Sequence, residues 1–167
     1  MARKFVKLFV MIAALAFIST PAFATWTITV STPEPKTWRN GQVLYKITIA
    51  LVSDGTDLAE FSLADEMATD LGAKEADAWI ERMNGGLLYE LVTDPGTTPD
   101  NTYTLAFDCD RGGSLLDLAA LSATVTEHTD FSEDLDWNPV FWNDLGIDIG
   151  DIGSASDAVE IIIYIIK

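Results

Sequence analysis

Apolar and polar residues alternate over several short stretches of the chain, most clearly between Gly85 and Leu118. Successive side chains of a strand point to opposite faces, so a period of two marks a strand with one buried face. Leu87, Tyr89 and Leu91 fall on one face, with Leu88, Glu90 and Val92 on the other. Further on, Tyr103, Leu105, Phe107 and Cys109 alternate with Thr102, Thr104, Ala106 and Asp108. Asp94-Pro95-Gly96 and Pro99-Asp100-Asn101 separate the two arms. Proline presets φ for the first central position of a turn and glycine accepts the positive φ that often follows, so this stretch is expected to fold back as a hairpin.

The same pattern predicts strands elsewhere. Trp26 to Val30 sets Trp26, Ile28 and Val30 against threonines, and Thr32-Pro33-Glu34-Pro35 is expected to stop that strand because each proline lacks a ladder donor. After the Asn40-Gly41 turn, Val43 to Ser53 carries Val43, Tyr45, Ile47, Ile49 and Leu51 on one side. On its other side Lys46 and Thr48 meet water, and Ala50 and Val52 are expected to close the face again. Asp54-Gly55 marks another turn, with a short strand from Leu58 to Leu63. Thr124 to Thr126 is a further strand candidate, His128 to Asp136 reads as an acidic loop, and Gly146 to Ile152 precedes a Gly-Ser turn. Ala158 to Lys167 (AVEIIIYIIK) is apolar on both faces, which places it in the middle of a sheet or against a partner.

Between Ser62 and Asn84 the period changes to the helical one, with Ala76, Trp79, Ile80 and Met83 recurring on one side. Ser62 followed by Asp65 suits a helix start, Gly72 a first stop, and Asn84-Gly85 a second. One or two short helices are expected, a ragged strand pair being the competing reading. Taken together the elements predict a mainly β protein: an antiparallel β-sandwich, jelly-roll or Ig-like, with a helical insertion around 62–84.

Arg3, Lys4 and Lys7, the apolar run Leu8 to Ile18, and Ala22-Phe23-Ala24 have the layout of a cleavable signal peptide. Residues 1–24 are therefore expected to be a leader and 25–167 a single exported domain, secreted or periplasmic. An uncleaved anchor or a core segment is the alternative. The formal charge of −16 becomes −19 once the three leader cations are removed. Such a surplus disfavours nucleic acid and anionic membranes as partners and favours solubility or cation binding. The single cysteine, Cys109, rules out an intrachain disulfide and reads as a small buried hydrophobe or an intermolecular bridge.

Candidate chemistry is sparse. His128 is the one histidine, which excludes a multi-histidine zinc site, and no Gly-x-Ser-x-Gly elbow accompanies it. Asp108 and Asp110 flank Cys109 and are a candidate Ca2+ pair, because carboxylates two apart can share a hard cation. The segment fails as an EF-hand, since Ala119 stands where the bidentate glutamate belongs. Asp130, Glu133, Asp134, Asp136, Asp144, Asp148 and Asp151 offer further carboxylates without a ligand spacing. Trp137, Phe141 and Trp142 suit a core, a protein interface or sugar stacking.

The run GGLLYELVTDPGTTPDNTYTLAFDCDRGG, with the later Gly-Ser turn and AVEIIIYIIK, resembles small uncharacterised β-rich proteins of tailed-phage and prophage structural modules. The likeness covers about half of the chain after the leader. The helical insertion and Arg111-Gly112-Gly113-Ser114 depart from it, and a cleavable leader is at odds with assembly in the cytoplasm. The resemblance implies a virion-type structural protein and carries over no catalytic residue.

The reading that results is a non-enzymatic structural or assembly protein, exported or virion-associated. It is expected to form a homo-oligomer or bind another structural protein through Trp137, Phe141, Trp142, Ile161, Ile163 and Ile165. The alternative is a periplasmic or secreted carbohydrate-binding module or hydrolase using the Trp137–Trp142 cluster.

Overall fold

The computed structural model describes residues 26–56, 58–95, 102–109, 114–122, 124–131, 139–150 and 157–167. Residues 1–25, which include the expected leader, and 57, 96–101, 110–113, 123, 132–138 and 151–156 lie outside them. Among the described residues ten strands and two α-helices form: β1 Thr27–Val30, β2 Glu34–Thr37, β3 Val43–Val52, β4 Leu58–Ser62, α1 Leu63–Leu71, α2 Ala73–Met83, β5 Leu87–Pro95, β6 Tyr103–Cys109, β7 Ser114–Leu121, β8 Glu127–Asp130, β9 Leu145–Gly150 and β10 Ala158–Ile166. All strand pairings are antiparallel. The larger sheet runs β1-β3-β10-β5-β8, with β2 also on β3, and the smaller runs β4-β9-β6-β7. The architecture is the expected β-sandwich with a short helical insertion.

The apolar terminal segment organises the larger sheet. β10 lies between β3 and β5 along nearly its whole length, from Ala158↔Val52 to Ile166↔Leu44 on one side and Val159↔Pro95 to Ile166↔Leu87 on the other. Val159, Ile161, Ile163 and Ile165 point inward and are at most 1% exposed. Each such side chain stabilises the fold by about 1.5–3 kcal/mol through removal from water. They meet Ile47, Ile49, Leu51, Leu88 and Leu91 from the same sheet and Leu105, Phe107, Ile147 and Ile149 from the facing one.

The expected hairpin from Gly85 to Leu118 does not form. β5 pairs with β10 and β8 in the larger sheet, whereas β6 pairs with β7 and β9 in the smaller. The hairpin in this region is β6–β7. Alternation in β6 is as expected, with Tyr103, Leu105 and Phe107 buried. In β5 it is broken: Tyr164 pairs with Glu90 but Ile165 with Leu88, so Tyr89 is an extra residue in a bulge. Leu88 and Leu91 therefore both face inward, and Leu87 and Tyr89 face outward.

Other details depart from the sequence reading. Prolines 33 and 35 interrupt the first strand without ending its edge: Val30 pairs with Ile49 and Glu34 with Lys46, one residue out of step, so β1 and β2 share one side of β3 across a bulge. Pro35 is tolerated there because an edge strand has a side with no ladder to donate to. Ala50 and Val52 are exposed rather than closing the outer face of β3. Residues 124–126 are not a strand; β8 begins at Glu127 and includes His128.

The helices form as expected. Ser62 Oγ accepts from Asp65 N at 3.0 Å, Gly72 at φ 89° separates the two, and Asn84 N bonds back to Ile80 O at 2.8 Å. Leu63, Met67, Ala76 and Met83 are buried against the core. Tyr45, on the inner face of β3, meets Trp79 edge-on at 6.5 Å, so α2 covers part of the larger sheet's inner face.

Candidate functional site

The two outer faces of the sandwich differ in chemistry. Adjacent strands bring outward residues of the larger sheet into rows, because paired residues share a face. One row reads Lys36, Leu44, Ile166, Leu87, Val140, the last through an isolated bridge to Leu87. The next reads Glu34, Lys46, Tyr164, Glu90, Asp130. Across this corner the Trp38 ring meets Tyr89 at 5.9 Å, tilted 55°, and the Arg39 guanidinium lies 5.8 Å from the Trp38 ring centre. Trp38, next to the β2–β3 turn, thus reaches a residue on β5, and the outward-facing Leu44 is only 8% exposed. Leu87, Val140 and Trp142 remain 43%, 45% and 43% exposed.

Residues 139–142 are held beside the start of β5 by backbone bonds from Leu88 N to Pro139 O, Phe141 N to Gly86 O, and Gly85 N to Phe141 O. Alternation then turns Phe141 into the core, at 1% exposure, and leaves Val140 and Trp142 outside. Of the expected interface residues, Trp142 thus stands at the surface. Phe141, Ile161, Ile163 and Ile165 do not: they are buried in the chain's own core, because β10 finds both its partners, β3 and β5, within the molecule. Trp137 lies outside the described residues. Sequence reasoning missed Trp38, Leu87, Tyr89 and Val140, because their shared face depends on a bulge and on pairings between distant segments. The signal available was Trp38-Arg39 beside the Asn40-Gly41 turn.

The outer face of the smaller sheet is acidic. Outward positions are Glu60 on β4, Gly146, Asp148 and Gly150 on β9, Thr104, Ala106 and Asp108 on β6, and Asp117 on β7. Ala106 pairs with both Asp117 and Asp148, and Asp108 with Gly146, over which the Glu60 side chain lies. None of these strand positions is basic. Asp108, one of the two expected calcium ligands, is on this face, half-buried; Asp110 lies outside the described residues, as do the side chain of Cys109 and Glu133, Asp134, Asp136 and Asp151. Among the described residues no three His, Cys, Asp or Glu side chains gather as a metal site.

The remaining candidates have structural partners. His128 is exposed on β8, its Nδ1 2.8 Å from Glu90 Oε1. Asp144 accepts from Ser62 Oγ at 2.6 Å and from Ala64 N and Leu145 N at 2.8 Å, which ties the start of α1 to β9. A shallow recess at the helix junction is lined by Leu71, Gly72, Ala73, Lys74 and Glu75. No helix among the described residues is long and apolar enough to cross a membrane. No protein-family model matches the chain, and no curated protein matches it.

Proposed function

We propose that this is a non-enzymatic structural or assembly protein that works through protein–protein contacts, exported by its leader or carried on a virion. The observation that supports this most is the corner formed by Trp38, Tyr89, Leu87, Val140 and Trp142, where aromatic and aliphatic side chains stay at the surface beside Lys36 and Arg39. Contiguous apolar surface rimmed by polar groups marks interaction sites, and tryptophan, tyrosine and arginine are the residues enriched at their centres. The resemblance to phage structural-module proteins points the same way.

A photo-crosslinking residue at Val140, irradiated in the producing cells, tests the reading. Protein adducts of defined mass are expected there, and none from the same residue at Glu75 on α2. Absence of adducts from both positions overturns it. Exposed Trp142 also supports a carbohydrate-binding reading. Binding on a glycan array that Trp142→Ala abolishes would establish that function instead.

A further inference from the structure

We infer that the Asn40-Gly41 junction is a modification site: its asparagine deamidates in the folded protein, leaving aspartate or isoaspartate beside Trp38 and Arg39, while the other junctions of this kind in the chain are held closed. This holds whether or not the protein assembles.

Asparagine or aspartate precedes glycine at three places, Asn40-Gly41, Asp54-Gly55 and Asn84-Gly85. Glycine, with no Cβ, gives its own amide the least steric cover and its backbone the most freedom, so attack on the preceding side chain is easiest there. The glycine amide gives its proton to hydroxide, and its nitrogen bonds to the asparagine Cγ as the Cγ–Nδ2 bond breaks and ammonia leaves. Solvent water then opens the cyclic imide at either carbonyl, giving aspartate or, with the main chain rerouted through the side chain, isoaspartate. Either product bears a negative charge that asparagine lacks. Ring closure requires the peptide plane after the asparagine to rotate until its nitrogen meets Cγ, so whatever fixes that plane prevents the reaction.

Two of the junctions are fixed. Asn84 Nδ2 donates to Asn143 Oδ1 at 2.9 Å, and Asn84 Oδ1 accepts from Asn143 N at 3.2 Å. Gly85 N donates to Phe141 O at 2.9 Å, and the Asn84 carbonyl accepts from Lys167 Nζ at 2.7 Å. Side chain, nucleophile and peptide plane are thus all tied to distant segments. At the second, Asp54 Oδ1 accepts from Thr56 N at 2.9 Å and from Thr56 Oγ1 at 2.6 Å, and Gly55 N donates to Ser53 Oγ at 2.8 Å.

Asn40 has no such anchors. It is exposed between β2 and β3, and no hydrogen bond to its side chain forms among the described residues. Its backbone is left-handed, at φ 57° and ψ 25°, within a single 3-10 turn, Arg39–Gly41, that buries none of its residues. Asparagine is among the few residues that adopt this conformation readily. Gly41, at φ 82°, has nothing within 4 Å of the place a Cβ would occupy. The turn therefore opens without moving a core residue, the kind of local opening that costs least. The carboxylate so formed stands next to Arg39, whose guanidinium lies 5.8 Å from the Trp38 ring centre.

Peptide mapping of the protein purified from cells expressing the full chain, incubated folded and in urea at mildly alkaline pH, tests this. In urea Asn40 and Asn84 should deamidate at comparable rates. In the folded protein Asn40 should react at least about ten-fold faster than Asn84, which becomes reactive only after its set of hydrogen bonds opens. Asn40→Gln, whose side chain is too long for the imide ring, should abolish the reaction at the turn and leave Asn84 as slow as before. Asn143→Gly, which keeps the positive φ of 62° at that position accessible, should speed Asn84 alone. Equal folded-state rates at the two asparagines, or a folded Asn40 that stays intact while the unfolded one reacts, overturns the assignment. A folded Asn143→Gly variant in which Asn84 reacts no faster overturns the protection ascribed to Asn143. The comparison of folded with unfolded wild type needs no variant, so it decides the matter even if a substitution prevents folding. Crosslinking at Val140 judges the assembly reading separately.

Discussion

Gly86 sits where α2 gives way to β5, its amide bonded to Met83 O at 2.8 Å. A Cβ there would come within 2.6 Å of Ile165 Cγ2 and 2.9 Å of Met83 O, one of them backbone that cannot step aside. Gly86→Ala should destabilise the protein by about 1–3 kcal/mol in urea unfolding, the usual cost of overpacking. Tyr103 carries the opposite kind of fault. Its ring is 1% exposed and its hydroxyl has no hydrogen-bond partner among the described residues. Burial pushes the phenol above its usual 10.0, the Glu127 and Asp94 carboxylates add to the rise, and the neighbouring Thr93 side chain opposes it. A raised pKa means that the folded state favours the neutral phenol, so that contribution is present below pH 10 and lost as pH climbs through the folded value. Tyr103→Phe should leave stability at neutral pH unchanged or higher by about 1 kcal/mol and flatten the alkaline limb of a pH–stability curve. The buried position of Tyr103 was legible from alternation in β6. The constraint on Gly86 was not, because it comes from a strand nearly eighty residues away.

The elements with local causes were read correctly. Ser62, Gly72 and Asn84 each act within a turn of their own helix, so a short window of sequence contains the whole reason for the boundary. Asp144 is the exception, reaching α1 from 80 positions away. It accepts two hydrogen bonds at the helix start, from Ser62 Oγ and Ala64 N, where a negative charge is also favoured by the helix dipole, and a third from Leu145 N on its own strand. Asp144→Ala should cost about 1–3 kcal/mol, with loss of helical signal in far-UV circular dichroism on partial denaturation. Strand pairing was less legible than strand existence. Turn residues after β5 suggested a hairpin, but the edges of β5 and β6 pair instead with strands from later in the chain, β10 and β9. The terminal strand illustrates how one signal admits two outcomes. Its apolar faces fit either an interface or a sheet interior, and the interior prevails because β3 and β5 leave a gap of one strand's width. Ile163→Ala should therefore lower stability by about 2–5 kcal/mol without a specific effect on association, a contrast measured by urea unfolding and sedimentation on the same sample.

At the scale of the whole molecule, composition announced the acidity but not its distribution. From residue 25 on, seven cations stand against twenty-six carboxylates, and the outer face of the smaller sheet exposes Glu60, Asp117 and Asp148. Long-range repulsion within the compact state should make thermal stability rise between about 10 mM and about 150 mM NaCl, as screening shortens the reach of like charges. Neutral sucrose at matched osmolality should not reproduce the dependence on ionic strength.

The central place of β10 also sets an order of events. Residues 158–166 leave the ribosome after both strands they join, so β3 and β5 wait with open edges until the very late arrival of the segment that bridges them. Contacts this distant in sequence are slow to close. Until residues 158–166 are in place, the apolar faces and unpaired edges of β3 and β5 stay open, which makes the nascent polypeptide a client for holding chaperones in the interval.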